Sequence, residues 1–295
     1  MLQNIIRALR LPFIGVSILP FILGSLIARK NFNPSGFLAG LCAVIFTHLS
    51  ANLINDYFDS ESGADWQDKR FYGFFGGSKL IQAGRLAAKF YLGAALLCAG
   101  MAGFCVVILA AILKSYCVIL IYLLIIIFSW QYTARPLSFS YNYLGELSLF
   151  LLFGPVTVMG GYFIQTGIFP DLKSFILSLP AGFFTAAILF TNEIPDFPGD
   201  SKTGKNNLVS LCGPQKAFGI YYLIVFSGFC SIGLGAYLGY LGFIAIFSFA
   251  LIFSAFKAGM ILKENYADKA RLIPASKLAI NMQMLISIIL ILGLL

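Results

Sequence analysis

Charged residues are scarce in this chain: Asp, Glu, Lys and Arg make up 11% of 295 residues, against 59% hydrophobic and 16% aromatic. With a mean hydropathy of +0.89, there is too little polar surface to cover a soluble core, and a water-soluble fold is excluded. Cysteine pairing is missing as well. The six cysteines (Cys42, Cys98, Cys105, Cys117, Cys212 and Cys230) form no C-x-x-C pair and sit mostly within apolar runs, as small fillers rather than disulfides or a metal knot. No P-loop and no kinase signature occurs, so a nucleotide is not the expected ligand. The first apolar run lacks a small-residue cleavage signature and is too long for a signal peptide, so it is expected to be retained.

What is present is a series of long apolar runs. A hydrocarbon core of about 30 Å takes about 20 residues of helix, and nine runs fit: 11–28, 36–55, 87–112, 116–131, 146–165, 174–194, 217–238, 241–262 and 278–295. The fourth is short, and only Gly239 to Gly242 divides the seventh from the eighth, so eight or ten spans also fit. Pro12 and Pro20 are expected to mark a helix start and a kink in the first. The expectation is one all-α, polytopic membrane domain over residues 1–295. The net charge of +8 invites a nucleic-acid partner, but its distribution points to the lipid bilayer instead. With the N-terminus in the cytoplasm, all of the 20 Lys and Arg except Arg29, Lys30, Lys114 and Lys173 fall on the cytoplasmic side. The same orientation puts every one of the 12 acids except Asp171 at or beyond a cytoplasmic span end.

One stretch is least expected by chance: residues 48–70, HLSANLINDYFDSESGADWQDKR, where an apolar helix runs into a cluster of acids. At 3.6 residues per turn His48, Asn52, Asn55, Asp56 and Asp59 share one stripe. A polar stripe on an apolar helix faces protein or water rather than lipid. His48 alone is equally readable as a hydrogen-bonded packing residue. Gly63 lets the chain leave the helix, and 63–86, with its GGSK segment and Lys79, forms a loop of the length that lids have. The fourth run ends in WQYTARPLSFSYNYLGE, where Tyr132 is either an interfacial anchor or a cavity wall, Arg135 either snorkels or faces a ligand, and Glu146 sits at a helix start that tolerates an acid. The sixth run ends in FTNEIPDFPGDSKTGK. There Asn192, Asp196 and Asp200 are spaced by four, although Pro195 and Pro198 are expected to forbid a regular helix through them; Lys202 and Lys205 follow. The mixed-sign segment KENYADKARLIPASK is expected to be a loop on the solvated surface.

The same recipe thus follows the second and sixth spans: acids and carboxamides, then a basic glycine-containing loop. Such oxygens suit a hard cation like Mg2+, which takes one or two carboxylates plus water and phosphate oxygens. Adjacent lysines would neutralise remaining phosphate charge. Together with an apolar, aromatic interior, this suggests a diphosphate bearing a long apolar tail. An ion-coupled transporter is the alternative from a different class, and it would place acids deep within the spans.

NDYFDSESGAD and NEIPDFPGD resemble the two Asp-rich motifs of the UbiA superfamily of intramembrane prenyltransferases. GGSKLIQAG, YTARPLSFSYNYLGE, LFGPVTVMGGYFIQTG and DSKTGKNNLVSLCG are most similar to the branch that prenylates 1,4-dihydroxy-2-naphthoate in menaquinone synthesis. The resemblance implies a nine-helix bundle around a central cavity, in a bacterial plasma membrane, using Mg2+, a polyprenyl diphosphate and an aromatic acceptor. It implies Asn55, Asp56, Asp59, Asp196 and Asp200 as metal-binding, directly or through water, with Asp65 taking the place of the motif acid that falls on Gly63. Lys79, Lys202 and Lys205 are implied as phosphate partners, Tyr132 as the aromatic face toward an allylic cation, and His48, Asn52, Asn192 and Arg135 as further substrate contacts. Related sequences carry Pro where Arg135 stands. Other acceptors of the superfamily, such as 4-hydroxybenzoate, homogentisate or a tetrapyrrole, remain open.

Overall fold

A computed structural model describes residues 2–295, and among these every regular element is helical. The chain begins with α1 (Leu2–Ala8) and α2 (Gly15–Ile27), separated by a single turn at Leu11–Phe13 and bent by 40° relative to one another. The bend is made at Arg10, whose φ of 51° lies in the left-handed region, with Pro12 opening the following turn. α3 (Pro34–Glu61) starts where Asn33 accepts the Gly36 N–H at 3.0 Å and carries the first acidic motif at its far end. α4 (Ala88–Leu113) packs along α3, and the short α5 (Cys117–Trp130) packs against α4.

α6 (Gly145–Leu151) and α7 (Thr157–Thr166) form one span through a wide turn at Leu152–Val156 that absorbs Pro155. α8 (Leu172–Asp200) is the central column. Of its apolar stretch 78% is buried inside the protein, against 28% for α4, whose Leu96, Leu97 and Phe104 face outward. α9 (Leu208–Cys212) is a short helix, α10 (Ala217–Tyr237) and α12 (Lys269–Leu294) pack against α8, and α11 (Ile252–Asn265, preceded by tighter turns from Phe243) packs on α10 and α12 to complete the bundle. Phe184, Phe190, Tyr221 and Ile232 form the dry contact between α8 and α10.

In lipid, apolar surface gains little from turning inward, so close packing decides which helices meet. The α2–α7 contact shows this: a Cβ on Gly24 would stand 1.9 Å from the Val158 carbonyl oxygen, and one on Gly161 would stand 2.6 Å from that of Phe21. Only hydrogen side chains permit that approach.

Among the described residues, seven helices are long and apolar enough to cross a membrane, and the bent α1–α2 pair makes an eighth. The chain is therefore an integral membrane protein. The expected nine-span count is approximate, because the fourth expected span corresponds to α5, whose 14 residues fall short of a full crossing.

Two local expectations are overturned. Pro195 and Pro198 do not interrupt α8, which stays helical to Asp200: Pro195 is buried among neighbouring helices, and Pro198 lies exposed in the last turn, where little helix remains to be broken. The segment KENYADKARLIPASK is mostly helix rather than loop. α11 runs to Asn265, and Asp268 restarts the chain as α12 by accepting the N–H groups of Ala270 and Arg271. Asp171, the one acid at the opposite end of the bundle, has a similar structural use: it caps α8 by accepting the Ser174 N–H at 2.7 Å.

Candidate functional site: an acid-lined hollow above an apolar cavity

The acid-bearing ends of α3 and α8 face each other across a polar hollow of about 110 Å3. α3 contributes Asn55 and Asp59, α8 contributes Asn192, Glu193, Asp196 and Asp200, and the loop after α3 adds Asp65, Asp68 and Lys79. Because α8 remains helical past its prolines, Asn192, Asp196 and Asp200 do share a face, each one turn beyond the last.

Lys205 joins the two halves. Its Nζ lies 3.3 Å from Asp59 Oδ2 and 3.9 Å from Asp200 Oδ1. Burial alone would lower its pKa, but the Asp200 and Asp59 charges outweigh that and hold it well above the ordinary lysine value. The backbone places this lysine: Asn206 pairs with Asn142 in an isolated parallel bridge, with Tyr143 N–H donating to the Asn206 carbonyl at 2.9 Å. The same bridge brings in Tyr141, whose hydroxyl donates to Asp59 Oδ1 at 3.0 Å. On the other side of Asp59, Asn55 Nδ2 donates to Oδ2 at 3.1 Å and to Thr133 Oγ1 at 2.7 Å. Asp59 is thus held from three directions.

The loop spanning 63–86 folds over the hollow, with Phe75, Gly76 and Gly77 on its wall. Gly76 N–H donates to Asp196 Oδ2 at 3.0 Å, Ser78 N–H donates to Asp56 Oδ2 at 3.0 Å, and Lys79 pairs with Asp65 at 2.9 Å. Gly77 has φ 71°, and a Cβ there would stand 2.7 Å from Asp65 Oδ2 and 3.2 Å from Asp56 Oδ1, so the backbone can lie on these carboxylates only as glycine. Asp68 reaches across to the start of α12, 3.2 Å from Lys269 Nζ. Burial, together with the Asp59 charge, pushes the Asp65 carboxyl up to about 7, with Lys79 opposing the shift. The hydrogen bond from Arg70 holds Asp68 well below the usual carboxylate range.

Directly beneath lies an apolar cavity of about 330 Å3, bounded by α2 through α8 and lined by side chains such as Phe21, Leu109, Tyr122, Phe153 and Ile164. The two spaces share the side chains of Arg10, Asn55, Tyr132, Leu189 and Asn192. Tyr132 therefore stands at the junction rather than at the lipid interface, and burial followed by the Glu193 charge keeps its hydroxyl protonated well above the ordinary range.

Several expected site residues are placed otherwise. Arg135 and Lys202 are exposed and line neither space, because each sits on the outer side of its turn. Asp56 is buried behind the wall of the hollow, tied to Ser78 and 3.5 Å from Arg10, where it anchors the loop. His48 and Asn52 belong to the apolar cavity. Conversely, Arg10, Tyr141, Glu193, Asp68 and Lys269 were not picked out from the sequence. Glu193 carries a readable signal, being a charge inside the second motif; the others converge only through tertiary structure.

Among the described residues no group of three acidic, histidine or cysteine side chains is set to enclose a metal ion unaided. The donors are instead hard oxygens on two facing helices, with Asn192 Oδ1 of the hollow's lining buried and without a hydrogen-bond partner. Such a split set fits Mg2+, which keeps part of its water shell and completes its coordination with substrate oxygens.

An all-helical membrane bundle with paired acidic helix ends over an apolar cavity defines a class of membrane-embedded site with one charged and one apolar end. Residues 17–285 match the UbiA prenyltransferase family, and the chain belongs to that family. The UbiA prenyltransferase domain-containing protein 1 homolog of Drosophila melanogaster is 28% identical over 234 residues, covering 77% of this chain and 62% of its own length. The 1,4-dihydroxy-2-naphthoate octaprenyltransferase of Bacillus subtilis (strain 168) is 30% identical over 203 residues, covering 68% of this chain and 63% of its own length. The chain thus spans less than two thirds of either relative. Among solved structures, a UbiA homolog from Archaeoglobus fulgidus bound to DMAPP and Mg2+ superimposes with a TM-score of 0.65 at 17% identity, covering 95% of this chain and 98% of its own; the shared fold is UbiA-type.

Proposed function

We propose that the chain is a single membrane-embedded domain that transfers a polyprenyl group from an isoprenyl diphosphate to an aromatic acceptor, with 1,4-dihydroxy-2-naphthoate as the leading acceptor. The observation that carries this reading is the stacking of the two spaces: an acid- and lysine-lined hollow opens, past Asn55, Tyr132 and Asn192, onto an apolar cavity. A diphosphate with a hydrocarbon tail matches that division of polarity. Transport is disfavoured because the acids gather at the helix ends and the loop above them rather than at mid-bilayer. The naphthoate follows from the sequence segments noted above and from the Bacillus relative; the comparable identity of the animal relative leaves the other aromatic acceptors as alternatives.

When bound, Mg2+ would supply neutralisation of the departing diphosphate, held by Asp59, Asp65, Asp196 and Asp200 with Asn55 and Asp56 in support. Lys79 and Lys205 supply the protein's own positive charge at the same place, each already within ion-pair distance of a carboxylate. Tyr132 faces the point where the C–O bond to the tail would break, and its ring offers a π-surface to the allylic cation. The apolar walls below exclude water, so the cation meets the acceptor ring before it meets solvent. An electron-rich ring carbon attacks, and with the naphthoate the carboxyl leaves as carbon dioxide. The positive-inside distribution supports a cytoplasmic hollow. The test is diphosphate release by purified protein with geranylgeranyl diphosphate, Mg2+ and a panel of acceptors. Wild type is expected to turn over and Asp59→Asn and Asp196→Asn to lose at least about 100-fold; undiminished activity in both variants refutes the assignment of the hollow.

A further inference from the structure

Two buried acids take no part in the metal, phosphate or carbocation chemistry above. Glu146, the second residue of α6, and Glu193, on α8, are 4% and 5% exposed. Glu193 lies on the wall of the hollow, whereas Glu146 lines neither space and stands behind it. Gly145 lets the two helices approach here: a Cβ on it would stand 3.4 Å from Ser140 Cα and 3.7 Å from Glu193 Oε1. The two carboxyls are in hydrogen-bonding contact with one another, yet ionised carboxylates only accept. Glu146 Oε1 is satisfied by the Leu208 N–H at 3.0 Å. Oε2 of Glu146, Oε2 of Glu193 and Ser140 Oγ close by are all buried without a donor or partner. Among the described residues neither carboxyl belongs to an ion pair, and Lys205, the cation that acts on Glu193, is already engaged by Asp59 and Asp200.

Two like charges in contact away from water do not both persist. One proton shared between them removes a charge and supplies the missing donor at once. In that state the pair carries a single negative charge and can accept a second proton. Its position gives that capacity a use. Of the charges around the Tyr132 hydroxyl, Glu193 acts most strongly and Glu146 acts as well, and Tyr132 stands where the hollow meets the apolar cavity. The other acids are committed elsewhere, Asp59 and Asp200 to Lys205 and Asp196 to the Gly76 N–H. We propose that Glu146 and Glu193 share one proton at rest and take up a second from the acceptor's ring hydroxyl, by way of Tyr132, as the prenyl group is transferred. This rests on the prenyl-transfer reading and adds a proton acceptor to it. Ring π-electrons form the bond to the allylic carbon, and the electrons of the breaking O–H bond stay on oxygen, which closes to a ring carbonyl. The hydroxyl proton passes to Tyr132 Oη as the phenol proton passes to Glu193. The attacked carbon then loses carbon dioxide, or its hydrogen as a proton to the departing diphosphate. The electrons of that bond restore the ring, and the carbonyl oxygen regains a proton by the same route, leaving the pair with one. Glu146 acts through Glu193 and is a positioning residue.

The test has two arms. Infrared spectra of the full chain in dodecyl maltoside micelles, which contain no carbonyl group, are recorded in H2O and D2O. A protonated-carboxyl band that shifts on exchange is expected in wild type, with and without Mg2+, and is expected to be lost in both Glu193→Gln and Glu146→Gln. A band unchanged in both variants, or one that Mg2+ abolishes, overturns the shared proton. The second arm measures turnover with Mg2+, geranylgeranyl diphosphate and whichever of 1,4-dihydroxy-2-naphthoate, 4-hydroxybenzoate and homogentisate the protein prenylates. Glu193→Gln is expected to lower kcat at least about 100-fold with both KM values within about twofold. Glu146→Gln, which keeps the Leu208 hydrogen bond, is expected to lower it about tenfold. A ring-fluorinated form of the same acceptor has a more acidic hydroxyl and is expected to narrow the ratio of wild-type to Glu193→Gln kcat about fivefold or more. An unchanged kcat in Glu193→Gln, a loss carried by KM, or a ratio indifferent to fluorination overturns the proton uptake. If wild type prenylates no acceptor, the transfer reading falls and the proton uptake with it, while the infrared band still decides whether the pair shares a proton.

Discussion

Replacing Gly77 with alanine tests whether the loop's seat on the carboxylates matters to ligand binding. The added Cβ would meet Asp65 Oδ2 at 2.7 Å and Asp56 Oδ1 at 3.2 Å, and the residue would have to hold φ 71°. The left-handed backbone costs an ordinary L-residue about 1–2 kcal/mol, and the overlap adds about 1–3 kcal/mol if neighbours cannot give way. Asp65 cannot retreat freely, because its Oδ1 is held by Lys79 at 2.9 Å. Relief therefore comes from lifting the loop, which separates Gly76 from Asp196 and Ser78 from Asp56. If about 2 kcal/mol of that strain is released only in the lifted loop, affinity for geranylgeranyl diphosphate in the presence of Mg2+ falls roughly 30-fold. Gly73→Ala is the matched control: its φ is 89° but nothing lies within 4 Å of the new Cβ, so it carries the backbone cost without the collision. Titration calorimetry on both variants, with limited proteolysis across 63–86, reads the difference. Equal affinity for Gly77→Ala and Gly73→Ala, with equal cleavage rates, would refute the reasoning.

Lys205→Met leaves Asp59 and Asp200 facing each other without their shared cation. Loss of one partner from a buried pair costs about 3–5 kcal/mol, so thermal unfolding in micelles should shift down by several degrees and diphosphate affinity should fall with it; an unchanged midpoint would contradict the bridge. Arg135→Gln and Lys202→Gln remove exposed charges that touch neither cavity, and both KM values are expected to stay within about twofold. Gly24→Leu drives a side chain into the Val158 carbonyl and should separate α2 from α7, with a loss of at least about 3 kcal/mol read as poor folded yield in size-exclusion chromatography.

The parts of this molecule visible in its sequence are those set by local chemistry. Long apolar runs give the helices, because a bilayer leaves no other way to satisfy the backbone. The stripe from His48 to Asp59 is legible because α3 is regular there. Asp65 was implied by the resemblance, and Gly63, with φ 86°, turns the chain so that Asp65 reaches the hollow two residues later. What was not legible depends on neighbours. Proline at 195 and 198 reads as a helix stop; burial of Pro195 among neighbouring helices and the place of Pro198 in the last turn of α8 override it. Arg135 and Lys202 look like ligands by their place in the sequence, but which side of a turn faces the hollow is decided by the bridge between Asn142 and Asn206. Arg10 and Tyr141, 131 positions apart, approach neighbouring acids of α3, Asp56 and Asp59, through tertiary structure alone.

The position of Lys205 between Asp59 and Asp200 has a consequence for how ligands come and go. The two acidic walls are not a bare negative field waiting for a cation; they carry an internal counterion that already balances part of their charge. On the proposed reading, an arriving diphosphate would swap one set of ion pairs for another, so that its affinity would be a difference between two well-paired states, and the same lysine would return to the carboxylates when the diphosphate departs. Ion exchange of this kind would trade tightness for turnover.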